Sequence, residues 1–221
     1  VVEQSNRSLS VIMESIQYAR LLQQGQMPDI AKLSGPFRSI DIAWQPRDLI
    51  GGDIWWTFQG ADGSFTLVLV DCTGHGVPGA MLSVLVISTL TRVFAQAPSI
   101  RPAEALKALD AGMRESLHKD GEDKVSDDGC DAAIIRISPD GSELIYSGAK
   151  IDLFHRHGDE ITQLRATRIS LGYLKPPTQA PEEHCIAMAR GDLLVMLTDG
   201  VTDQIGSGPE RRKSFGNRRI Q

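Results

Sequence analysis

Residues 51–81, GGDIWWTFQGADGSFTLVLVDCTGHGVPGAM, hold two aspartates, Asp53 and Asp71, on either side of a turn. The runs IWWTF (54–58) and FTLVLV (65–70) have the β-branched and aromatic texture of paired strands. With a three-residue turn, Ala61-Asp62-Gly63, in which Gly63 is left-handed, Gly60 pairs with Ser64 and Asp53 falls directly opposite Asp71. Facing residues of antiparallel strands have β-carbons about 4.5–5.5 Å apart on one side of the sheet, so the two carboxylates share one small site. Like charges that close demand a proton or a cation between them. Oxygen donors alone suit a hard cation, Mg²⁺ or Mn²⁺, better than zinc. Gly51, Gly52, Gly74 and Gly76 let backbone approach such an ion closely. A two-residue turn would instead send the acids to opposite faces as ordinary strand-end residues.

A third acid, in Thr198-Asp199-Gly200, closes the apolar run LLVMLT (193–198) and is either a turn former or a ligand offered from a sheet edge. Gly74-His75-Gly76-Val77-Pro78-Gly79 also fits G-x-G-x-x-G, the dinucleotide-binding spacing. Asp71 would repel a pyrophosphate there, and no strand ending in an acid follows about 20 residues on. The spacing is therefore read as coincidental, and a nucleotide-binding oxidoreductase is set aside. Asp127, Asp128 and Asp131 read as a solvated acidic loop that could offer substitute carboxylates. His155 and His157 share a strand face, which suits a metal but is read as a surface pair; His75 is read as a structural hydrogen-bonder.

The elements that must position these groups follow from periodicity. Residues 1 to about 27 form a helix whose Val2, Leu9 and Ile16, with Ile12 and Ala19, make about two and a half heptads. It packs on its own domain or is the end of a dimeric signalling helix. FRSIDIAW (37–44) reads as a strand, AAIIRI (132–137) and ELIYS (143–147) as a hairpin, and LFHRH (153–157) with EITQL (160–164) as another. CIAMA (185–189) and LLVMLT read as a fourth hairpin around Arg190-Gly191-Asp192, and helices are expected over 78–96 and about 102–118. Tight hairpins with inserted helices give an α+β layered domain of antiparallel sheet.

Composition narrows the function. In 221 residues, 28 Asp and Glu against 23 Lys and Arg leave a net charge of −5, which disfavours a nucleic-acid binder. The one basic cluster, Arg211, Arg212, Lys213, Arg218 and Arg219, reads as a solvated tail or loop. Cys72, Cys130 and Cys185 are far apart and odd in number, so neither a disulfide framework nor a zinc site is indicated. No uninterrupted apolar stretch reaches the roughly 18 residues of a membrane span, and no signal peptide opens the chain. A soluble cytoplasmic domain is expected. The missing initiator Met suggests a piece of a longer protein.

Ile50-Gly51-Gly52-Asp53, the run Val70-Asp71-Cys72-Thr73-Gly74-His75-Gly76-Val77-Pro78-Gly79-Ala80, and Gly191-Asp192 leading to Leu197-Thr198-Asp199-Gly200-Val201-Thr202-Asp203 together resemble one family. It is the bacterial SpoIIE-type branch of the metal-dependent serine/threonine phosphatases, relatives of protein phosphatase 2C, and the chain is similar to SiaA-type sensor-coupled members. The resemblance implies an αββα sandwich, two antiparallel sheets with helices outside, and a site for two Mn²⁺ or Mg²⁺ ions. Asp53, Asp71 and the backbone carbonyl of Cys72 would be ligands, with Asp199 holding the second ion. A water activated by the ions would attack phosphorus in line. The resemblance divides the chain into a helical linker, 1–34, and a phosphatase domain, 35–221.

The chain departs from the family in three places. Trp56 stands where many members have a second acid, and Ser147-Gly148-Ala149-Lys150 replaces a Gly-His pair. Lys150 is expected near the phosphate, or else in solvent as a loop lysine. Third, a C-terminal strand with its Asp-Asp or Asp-Asn pair is not found before Gln221, which suggests a segment omitted from this chain. The resemblance implies dephosphorylation of a STAS-type regulatory partner, in partner-switching signalling, within a longer protein that carries an upstream sensor or inner-membrane region, while the heptads of the first helix suit a homodimer formed through it. The competing reading is a catalytically silent module that binds its partner without turnover.

Overall fold

Gly63 takes φ +84°, and the Gly60 amide donates to the Ser64 carbonyl at 2.8 Å, so the turn at 61–63 has the three-residue form. The computed structural model describes residues 2–30, 33, 35–118, 127–204 and 216. This turn sets the register of strand β1 (Ile54–Gln59) on β2 (Phe65–Cys72), with Ile54 opposite Val70. The remaining elements are α1 (Val2–Gln26), α2 (Gly76–Gln96), α3 (Pro102–Leu117), β3 (Cys130–Ile137), β4 (Glu143–Ala149), β5 (Leu153–His157), β6 (Glu160–Leu164), β7 (Glu183–Ala187), β8 (Leu193–Met196) and α4 (Asp199–Thr202).

Two antiparallel sheets result, one ordered β1-β2-β3-β4-β7 and a smaller one ordered β6-β5-β8. Strand alternation divides the core in two. Val68, Val70 and Cys72 of β2 and Ala132 and Ile134 of β3 pack under α2 and α3, against Val86, Leu90, Phe94, Leu106 and Leu109. Leu67, Leu69, Ile135 and Tyr146 face the other way, towards Leu153, Leu194 and Met196 of the small sheet. The result is the layered α+β sandwich. Helix α2 is long and apolar enough to cross a membrane, yet Val86 and Leu90 are wholly buried against the large sheet, as in a core helix. Glu183 of β7 takes the Ala103 amide at 3.0 Å and Arg101 at 2.8 Å, which ties the start of α3 to the sheet edge.

Two expectations are corrected. Residues 37–44 form no strand: Phe37 packs edge-on to Phe65 and Trp44 to Trp55, so the apolar alternation is used in packing while the backbone joins no ladder. Nor do 185–189 and 193–198 form a hairpin. β7 pairs with β4 and β8 with β5, so Arg190-Gly191-Asp192 crosses between the sheets, with Gly191 at φ +97°. His155 and His157 are also more than a surface pair. Both bond the Asp192 carboxylate, at 2.9 and 2.7 Å, and fasten this crossing to β5. Burial pushes the Asp192 carboxyl up, but the Ala189 amide and the two imidazoles outweigh it and hold the group down to about 2. The basic cluster from Arg211 to Arg219 lies outside the described residues.

Candidate metal centre

The register that places Ile54 opposite Val70 brings Asp53 opposite Asp71, and on the other side of β2 Asp71 is paired with Asp131. Three carboxylates from neighbouring strands thus form a row at one end of the large sheet. Asp199 comes to them from the small sheet, at the start of α4 just beyond β8. Asp71 hydrogen-bonds both Asp53 and Asp199 in the sense that leaves the proton on Asp71. Burial first, and then the charges of Asp53 and Asp199, push the Asp71 carboxyl up to about 8. Asp53 is raised as well, chiefly by burial, although bonds from Asp71 and Thr198 oppose the rise.

Asp131, read from the sequence as part of a solvated loop, is a member of this centre. Burial raises its carboxyl, while Ser170 Oγ donates to it at 2.7 Å and Lys150 Nζ lies 3.5 Å away. Lys150 has a left-handed backbone, φ +61°, and faces a cavity of about 300 Å³. Asp71, Asp131, Asp152, Arg168 and Asp199 line the same cavity. Asp152 is already committed, accepting from the Ala166 amide at 2.8 Å and Gln163 Nε2 at 2.7 Å.

The glycines explain how the loops come so close. A β-carbon on Gly52 would lie 2.6 Å from the Cys72 carbonyl oxygen, and Gly74 and Gly76 have positive φ. Burial pushes the Cys72 thiol far above its ordinary range, which leaves the backbone carbonyl as the useful donor of this residue. His75 bonds Asp48 at 2.7 Å on the surface, in keeping with a structural role. Trp56 packs with Phe58 and Phe94 beneath α2, its ring centroid 5.1 Å from that of Phe94.

Gln23 of α1 gave no signal in the sequence. Its buried amide donates to the Gly51 carbonyl at 2.6 Å and to Ser83 Oγ of α2 at 2.8 Å. It therefore holds the loop that carries Asp53. Among the described residues no group of three or more His, Cys, Asp or Glu side chains is closed into a ready cage. Crowding and burial raise Asp53 and Asp71 instead, and an all-oxygen donor set of this kind fits a hard divalent cation, whose binding would release a proton.

The family model for Stage II sporulation protein E (SpoIIE) matches residues 61–220. The chain belongs to the SpoIIE family. The family comprises PP2C-type phosphatase domains of partner-switching regulators. The SiaA-PP2C domain of Pseudomonas aeruginosa superposes with a TM-score of 0.80 at 30% identity, over 96% of this chain and 81% of that one. The PP2C phosphatase domain of SpoIIE from Bacillus subtilis, solved with a fragment of its regulatory domain, gives 0.53 at 20% identity, over 69% and 42%. RsbX in complex with magnesium gives 0.50 at 16%, over 69% and 68%. The last two speak to the fold alone. No curated protein sequence matches the chain.

Proposed function

We propose that this SpoIIE-family domain is a serine/threonine phosphatase, dependent on Mn²⁺ or Mg²⁺, that acts on a phosphorylated regulatory protein of STAS type. The observation that carries the reading is the cluster of Asp53, Asp71, Asp131 and Asp199, in which Asp71 bonds both Asp53 and Asp199, while Asp71, Asp131 and Asp199 line one cavity of about 300 Å³. The likeness to the SiaA-PP2C domain supports it. Asp53, Asp71, Asp199 and the Cys72 carbonyl would hold two ions, and Asp131 extends the donor set. Ions held there would neutralise phosphoryl charge and lower the pKa of the attacking water. The chain's own part is to fix the donors: Ser170 orients Asp131, Gln23 braces Gly51, and Lys150 stands where it meets the phosphoryl group. Residues 1–34 serve as a regulatory linker whose helix α1 pairs with a second copy, a role supported by the exposure of Leu9, Ile12 and Leu22.

Incubation with a phosphoserine protein and Mn²⁺ tests the activity. Phosphate release that is lost in Asp53→Asn and Asp71→Asn is expected. No release from the intact domain would leave a module that binds its partner without turnover.

A further inference from the structure

The segment 167–171 runs beside the metal centre with its side chains alternating. Ile169 and Leu171 are buried in the core beneath α3, 5% and 1% exposed. Between them Arg168 is exposed, at a tight turn closed by the Ile169 amide on the Thr167 carbonyl at 2.9 Å, and Ser170 is half-buried. The Ser170 hydroxyl donates to Asp131 at 2.7 Å, which puts this segment against the acids. Arg168 lines the same cavity as Asp71, Asp131 and Asp199. The backbone also brings Arg168 next to Lys150. Thr167 makes an isolated bridge to Ala149, and the Thr167 carbonyl accepts the Lys150 amide at 3.0 Å, so the backbones that carry the two cations lie side by side.

Lys150 is engaged with Asp131, whereas Arg168, among the described residues, makes no hydrogen bond or ion pair. It is also exposed. An uncommitted guanidinium at the mouth of an acid-walled cavity has a specific chemical use. A phosphomonoester dianion entering the cavity meets Asp71, Asp131, Asp152 and Asp199, and ions offset those charges only on the side where they bind. The phosphoryl oxygens turned to the mouth need donors from the chain. The planar fork of arginine matches two of these oxygens at once, which a lysine cannot do.

We propose that Arg168 is the substrate-binding residue that grips the phosphoryl group of the phosphoserine or phosphothreonine substrate from the mouth of the cavity, with Lys150 beside it. The assignment rests on the phosphatase reading for its substrate, but not for its anion. The test compares wild type, Arg168→Ala, Arg168→Gln, Arg168→Lys and, as a control outside the cavity, Arg165→Ala. The probes are a phosphoserine peptide in steady-state turnover and inorganic phosphate in calorimetry on the Mn²⁺-loaded domain. Loss of a charge-assisted bidentate contact should raise KM and the phosphate Kd together by about 10- to 100-fold, with kcat changed far less. Arg168→Lys should recover part of the loss, and Mn²⁺ affinity and the melting temperature should stay at wild-type values.

KM and phosphate Kd both within about twofold of wild type in Arg168→Ala and Arg168→Gln would overturn the assignment. A wild-type domain that binds phosphate but turns over no phosphopeptide would defeat the phosphatase reading alone, and the calorimetric comparison would still decide Arg168. A Mn²⁺-loaded wild type that binds no phosphate would overturn the assignment as well.

Discussion

Gly52 sits at the tightest point of the centre, where a β-carbon would come within 2.6 Å of the Cys72 carbonyl oxygen and 3.2 Å of both Cys72 Cβ and the Gly74 carbonyl oxygen. The obstacle is backbone on two sides, so it cannot swing away as a flexible side chain would. Gly52→Ala is therefore expected to push Asp53 and the Cys72 carbonyl apart. It should cost about 1–3 kcal/mol of stability by denaturant melt, and Mn²⁺ affinity by calorimetry should fall at least tenfold, about 1.4 kcal/mol. Gly25, on α1, is the opposite case, with nothing within 4 Å of the place a methyl group would take. There Gly25→Ala should raise stability by about 0.5–1 kcal/mol, because only the backbone freedom of the unfolded chain changes. At this scale the sequence was most informative where chemistry was local. Asp53 and Asp71 belong together because one glycine fixes one turn, and that turn is written in Ala61-Asp62-Gly63.

Between elements, legibility falls with the length of chain that separates partners. The pairing of Asp71 with Asp131 depends on β2 meeting β3, and two helices lie between those strands, so no turn chemistry could announce the register. Asp131 consequently looked like one acid of a solvated loop. The run 185–198 misled for a different reason: Arg190-Gly191-Asp192 has hairpin-like composition, but each flanking strand finds a better-matched edge in a separate sheet. Gln23 is the clearest inter-element contact that no pattern predicts, since a single polar residue on a helix carries no period. Gln23→Leu should leave the Gly51 carbonyl without its donor in a buried setting, costing about 1–3 kcal/mol. Because that carbonyl precedes Asp53 by two residues, Mn²⁺ affinity should weaken in parallel, whereas an exposed substitution on the same helix, Tyr18→Ala, should leave it unchanged. Equal Mn²⁺ affinity in Gln23→Leu and wild type would confine the role of Gln23 to stability.

For the molecule as a whole, the buried acids couple folding to pH. Asp71 keeps its proton up to about 8 when folded, against an ordinary value of 3.8, so between these limits the metal-free folded state binds more protons than the unfolded chain. This contribution to stability is fully present below the lower limit and is lost as pH rises through the upper one. Thermal melts of metal-free domain should therefore show a higher melting temperature at pH 5 than at pH 8, and Asp71→Asn should flatten that difference. Adding Mn²⁺ should reverse the trend, stabilising most at high pH and releasing protons on binding.

The arrangement of the sheets has a mechanical corollary. Asp53, Asp71 and Asp131 ride on one sheet while Asp199 follows the last strand of the other, so the contact between Asp71 and Asp199 is made only because the two sheets meet closely at that end. Leu69, Tyr146 and Met196, which fill the space between the sheets, act as a shim beneath the centre. The room left among these four acids is thereby set by the girth of apolar side chains packed between the sheets.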